Sequence, residues 1–131
     1  MMQKEILDYL SSDATIVRLL DHRFPELTKI SISKPIHPDK YPYLVYNITP
    51  YSISIPLKEY RLSLHICTKT HKENEDIQER LLDLLDLSGK PGFQIKNKTI
   101  YHSRLVSGGS FLFHRNENVY EQTMFFHIKT N

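Results

Sequence analysis

The sequence predicts an α+β fold: an antiparallel or mixed β-sheet with two short N-terminal helices and one longer helix packed on one face. Three observations predict it. Apolar residues recur at helical spacing near the start and again between Glu75 and Leu87. They alternate with polar residues along Tyr60 to Thr68, as strands do. The order of two helices, strands, one helix and further strands gathers the helices on one side of a sheet. With 131 residues the chain is expected to form a single domain spanning 1–131, since independent domains run to about 100–150 residues.

Ile6, Leu7 and Leu10 lie on one face of a first helix, with Glu5 and Asp8 toward water. Ser11, Ser12 and Asp13 each offer an oxygen to cap a second helix running to about Leu20, with Ile16, Val17 and Leu20 as its buried face. Arg23-Phe24-Pro25 ends this helical region, because a residue before proline is pushed out of the α conformation. Ile30 and Ile32, alternating with Ser31 and Ser33, predict a short strand with its isoleucines in the core. Pro35, Pro38 and Pro42 then forbid regular structure and predict an ordered surface loop.

Tyr43 to Thr49 and Tyr60 to Thr68 have strand composition and are expected to pair as a hairpin, with Tyr60, Leu62, Leu64 and Ile66 on one face. The connection Pro50 to Leu57 is too long for a tight turn, and its Tyr51, Ile53 and Ile55 predict a projecting, exposed segment. The helix from Glu75 to Leu87 places Ile77, Leu81, Leu84 and Leu85 inward, with Asn74 as N-cap and Gly89 and Pro91 as the stop. Strands follow at Thr99–Val106, Ser110–His114 and Val119–Lys129, the last with Tyr120, Met124, Phe126 and Ile128 on one face. Gly108-Gly109 between the first two reads as a bulge or tight bend.

Composition excludes several function classes. The formal charge of +2 comes from 17 basic and 15 acidic residues dispersed along the chain. Nucleic-acid binders concentrate basic residues, so no specific nucleic-acid recognition is expected. No apolar run approaches the roughly 20 residues that span a bilayer, so no membrane association is expected either. A single cysteine, Cys67, and no cleavable apolar leader point to a reducing cytoplasm.

His65, Cys67 and His71 form the one cluster with metal-site or thiol-enzyme potential, since His65 and Cys67 point to the same face of a strand. Zinc sites use paired ligands in two groups, and a reactive thiol sits at a helix N-terminus or beside a cation. Mid-strand Cys67 shows neither pattern, so a buried structural cysteine is the better account. No catalytic residue, metal or cofactor is therefore expected. Gly108-Gly109-Ser110 lacks the lysine and following helix of a phosphate-binding loop. Asp83 and Asp86, like Glu75 and Asp76, belong to a solvated helix face.

The apolar residues that a two-layer fold cannot cover are more informative. Phe111-Leu-Phe113, Met124-Phe-Phe126 and Tyr43 to Tyr46 place bulky groups on both faces of their strands, where a sheet wet on one side shows alternation. Contact with another subunit is expected, with Tyr51, Ile53, Ile55, Phe111, Phe113 and Arg115 as its candidate residues.

The paired helices around Ile6-Leu-Asp-Tyr-Leu10 and Thr15 to Leu20 are one part of a recognisable layout. Tyr41-Pro-Tyr-Leu-Val45 launching a strand, the alternating Tyr60 to Ile66 and the helix Ile77 to Leu87 complete it. Together they resemble the small tail terminator and head-tail joining proteins of long-tailed bacteriophages and prophages, over roughly residues 3–87. That family often has a glycine where the second helix turns into the first loop; Asp21-His22-Arg23 stand there in this chain. The resemblance implies a non-enzymatic structural subunit of a homo-oligomeric ring, commonly a hexamer. Such a ring caps the tail tube protein and docks the head connector protein, assembling in the bacterial host cytoplasm and ending in the virion neck. A different neck or connector component shares the layout, and a small metal- or thiol-dependent enzyme centred on Cys67 is the alternative from another class.

Overall fold

The computed structural model describes residues 3–23, 26–53, 57–87, 91–95, 98–107 and 111–131, with the side chains of 51–53 and 107 left aside. The elements in chain order are helix α1 (Gln3–Ser11), helix α2 (Ala14–Leu20), strand β1 (Ile30–Ile32), strand β2 (Tyr43–Ile53) and strand β3 (Lys58–Thr68). Helix α3 (His71–Leu85) and strands β4 (Phe93–Ile95), β5 (Lys98–Ser107), β6 (Phe111–His114) and β7 (Val119–Thr130) follow. The strands form one mixed sheet in the order β1-β2-β3-β7-β5-β4, parallel only between β1 and β2. The α+β class is as the sequence predicts.

The last strand is the middle of the sheet. β3 pairs with β7 along its whole length, from Lys58 opposite Thr130 to Thr68 opposite Tyr120. On the other side of β7, β5 covers Phe125 to Thr130 and β6 covers Val119 to Gln122. The even-numbered residues of β7 from Gln122 to Thr130 are buried under the helices, together with Leu62, Leu64 and Ile66 of β3 and Leu44 and Tyr46 of β2. Ile6 and Leu10 of α1, Ile16 and Leu20 of α2, and Ile77, Leu81 and Leu85 of α3 complete this core. Fully burying each such side chain contributes roughly 1.5–3 kcal/mol. Val17 is only half-buried.

Asp13 starts α2, accepting the Ile16 N–H at 2.9 Å, and the Arg80 guanidinium holds the same carboxylate through two contacts of 3.0 and 2.6 Å. This arginine beside it keeps the Asp13 carboxyl below the usual carboxylate range and ties α3 to the start of α2. Helix α2 ends well before Pro25. Asp21 takes the left-handed conformation (φ 53°), and the Asp21 and His22 amides close on the carbonyls of Arg18 and Val17. Asp21 thus occupies the position a glycine would fill. Lys29 is buried, and its Nζ donates to the Leu20 carbonyl at 2.9 Å, where the helix end is partially negative. The His22 Nδ1 accepts the Lys29 N–H at 2.9 Å. Burial lowers the pKa of both side chains.

Helix α3 begins four residues before the expected Glu75. Thr70 is its N-cap, with Oγ1 accepting the Glu73 N–H and donating to the Glu73 carboxylate. Asn74 is fully buried and reaches across to the sheet, donating to the carbonyls of Ile66 and Tyr120 at 3.1 and 3.3 Å and accepting from Gln78. The helix stops at Leu85, before the expected Leu87; Gly89 lies outside the described residues. β4 was not expected. It follows Gly92, where an added Cβ would lie 2.3 Å from the Ile100 carbonyl oxygen, so only glycine fits there.

The connection after Pro50 also differs from expectation. β2 runs on to Ile53, which pairs with Lys58, and a register shift between Pro50 and Ser52 absorbs Tyr51 as an extra residue. Since Lys58 is itself paired with Thr130, the backbone of Tyr51 and Ile53 belongs to the sheet and does not project from it. Ile55, Gly108 and Gly109 lie outside the described residues.

Candidate functional site

The possible metal or thiol cluster does not assemble. His65 and Cys67 lie on the sheet face away from the helices, whereas His71 opens α3 on the opposite side and packs its ring on Phe111 and Tyr120. His65 Nδ1 is 3.1 Å from the Thr123 hydroxyl, and Cys67 is buried. Burial pushes the Cys67 thiol up to about 11, against a smaller downward pull from its hydrogen bond with Tyr43. A thiol held protonated at neutral pH is a poor nucleophile and a poor metal ligand. Among the described residues no group of three or more His, Cys, Asp or Glu is placed to hold a metal ion. No helix among them is long and apolar enough to cross a membrane.

The face without helices is polar and partly basic. Arg61, His127 and Arg104 form a row across β3, β7 and β5. The Arg61 guanidinium lies 4.1 Å from the centre of the Phe125 ring, so the arginine covers the phenylalanine that the sequence left exposed. Glu59 approaches His127 and Lys129 at 3.8 and 3.6 Å. The His102 and His127 rings meet at 5.5 Å. Burial, followed by the nearby His127, Lys129 and Arg104, lowers the His102 pKa.

The exposed apolar groups occupy the rims of the sheet. Tyr101, Val106, Phe111, Leu112 and Phe113, between 41% and 64% exposed, line the β5–β6 rim. Phe111 and Phe113 stand on the helix side of β6, opposite Gln122 and Tyr120, and gather around the Tyr120 ring with centroid distances of 5.9 and 4.7 Å. Leu112 faces the other side, opposite Glu121, whose carboxylate meets His114 Nε2 at 2.8 Å. Arg115 is exposed in the turn that joins β6 to β7. No strand among the described residues pairs with the outer edge of β6, so its backbone is open to a further strand.

The opposite rim is β1, which pairs with β2 alone. Ile32 was expected in the core but is 38% exposed, whereas Ile30, two residues before it on the same face of this edge strand, is buried. Ile36, in the loop that follows, is 57% exposed. These two and the five on the β5–β6 rim are the exposed large hydrophobic residues among those described. Sequence reasoning found the apolar excess of Phe111, Leu112 and Phe113 but missed Val106, Ile32 and Ile36. Their exposure follows from strand order, which local patterns do not carry.

No protein-family model matches the chain, and no curated protein matches it in sequence. Among solved structures, the chain is similar to a chain of the virion of a native gene transfer agent particle, with a TM-score of 0.69 at 10% sequence identity. The likeness covers 98% of this chain and 93% of that one. At this identity what is shared is the α+β fold, over the full layout of helices and sheet.

Proposed function

We propose that the chain is a structural subunit of a phage or phage-like virion: a tail terminator that forms a ring at the head-proximal end of the tail and joins tail to head. The observation that carries this reading is that, among the described residues, the exposed large hydrophobic side chains gather at two opposite rims of one sheet. Two different patches on opposite sides of a subunit are what a ring needs, because each subunit meets its neighbours through unlike surfaces. The fold shared with a gene transfer agent virion chain supports a virion role, and the protonated Cys67 thiol counts against thiol chemistry. In this reading Phe111, Phe113 and Arg115 belong to the subunit contact, and the tail tube protein and head connector protein are the axial neighbours. The ring is a hexamer assembled in the host cytoplasm.

Light scattering over a range of concentration and salt tests the ring directly, with a mass near six subunits expected. Replacing Phe111 and Phe113 together by alanine is expected to reduce that mass; an unchanged mass would remove both residues from the contact. Pull-down from particles lacking this chain separates the two structural readings. A tail terminator is retained by tail tubes, whereas another neck component is retained by portal-containing heads.

A further inference from the structure

Exposed apolar residues scattered over a surface are ordinary, but their collection into continuous strips marks a place that another molecule covers. Both strips here coincide with strand edges. The four residues of β6 include three consecutive large hydrophobic ones and no lysine or proline, the residues that natural sheets place on an edge to keep other strands away. An open strand edge is satisfied best by another strand, which supplies hydrogen-bond partners for the free amides and carbonyls. The same chain offers one, since β1 closes the opposite end of the sheet and carries exposed Ile32, with exposed Ile36 in the loop that follows it.

We propose that copies of this chain join edge to edge, with the β1 rim of one, carrying Ile32 and Ile36, seated on the β5–β6 rim of the next, carrying Val106, Phe111, Leu112 and Phe113. The sheet then runs on from one copy to its neighbour. A second copy is the fitting occupant because one contact of this kind, repeated, covers both apolar rims of every subunit. The alternative of two β6 edges meeting about a two-fold axis would cover one rim and leave Ile32 and Ile36 in water. Edge-to-edge joining deepens the ring reading and rests on its self-association, but not on where in a virion the ring sits.

Cysteine pairing tests it. Ile36→Cys and Phe113→Cys change exposed positions, and native Cys67 is buried, so it stays out of the reaction. Under mild oxidation each single variant alone is expected to remain unlinked. An equimolar mixture of the two should give disulfide-linked dimers, and the double variant a ladder that ends at the size of the ring. Phe113→Cys alone linking as strongly as the mixture would overturn the proposal in favour of a two-fold contact. An oligomer by light scattering with no linkage in the mixture would overturn the edge assignment and leave the ring standing. A chain that stays monomeric to millimolar concentration without linkage would overturn both. As a second measurement, Phe113→Lys and Ile36→Glu are each expected to abolish association while keeping the denaturant midpoint of the wild type measured at concentrations where it is dissociated, and mixing these two variants should restore a dimer. Failure of that mixture to associate, when the wild type does, also counts against the contact.

Discussion

Phe126 and Phe113 stand on neighbouring strands and point to the same side of the sheet, yet one is fully buried and the other is 45% exposed. Their local sequences do not explain the difference. Phe126 belongs to the core that the helices share with the sheet, whereas Phe113 lies by the start of α3, where His71 leans on Phe111 and Tyr120. One β-sheet face therefore serves two purposes. Where the helices reach, its apolar groups hold the fold together; where they stop, the same kinds of residue are left exposed.

Substitutions on the two sides of that limit should separate stability from association. Phe126→Ala is expected to be the most damaging, at about 3–5 kcal/mol for a large aromatic removed from a closed core, read from a urea unfolding curve. Asn74→Ala should follow at about 1–3 kcal/mol, because it removes the buried amide hydrogen bonds to the Ile66 and Tyr120 carbonyls that join α3 to β3 and β7. Asp13→Ala removes the α2 cap and is expected to cost about 1 kcal/mol by the same measurement.

Acid should weaken the folded chain further. His22 and His102 have pKa values lowered below the ordinary 6.5, so the unfolded chain takes up their protons first. Their stabilising effect is present above pH 6.5 and is lost as pH falls through that value toward the folded pKa. Protonation of His22 also removes the acceptor for the Lys29 amide. Asp13, held below 3.8 by Arg80, adds a second loss at still lower pH. Unfolding midpoints measured between pH 8 and pH 3 should fall in those two stages. Phe113→Ala, at the other extreme, is expected to move stability by no more than about 0.5 kcal/mol while lowering the mass in solution. If Phe113→Ala destabilised the isolated subunit as Phe126→Ala does, the division between the two regions would collapse.

Much of the fold was legible because periodicity is local. The helical spacing of Ile6 and Leu10, the alternation of β3 and the face of Met124, Phe126 and Ile128 all appear in the structure as read. What escaped depends on distant partners. Asn74 resembles a cap when only its acidic neighbours are considered, but its amide serves two strands that the sequence does not reveal. The true start of α3, Thr70-His-Lys-Glu73, carries a capping pattern that was legible and was obscured by the polar run after it. Alternation assigned Ile30 and Ile32 to one side but could not say how far the helices extend over it. Phe111 and Phe113 were recognisable as an apolar excess. That Val106 and Ile36 lie on opposite rims is decided only by the order of strands.

That order also bears on how the chain is made. β7 follows every other strand in the sequence, yet it joins the β1-β2-β3 half of the sheet to the β5-β4 half and to β6. During synthesis both parts emerge before the strand that unites them, with the inner edges of β3, β5 and β6 bare. Contacts between distant parts of a chain form slowly, and unpaired edges attract one another. Two nascent chains held close together could therefore exchange their β7 strands. Dilution during expression, or a chaperone that shields the waiting edges, should thus improve the yield of correctly folded chain more than any change to the finished surface.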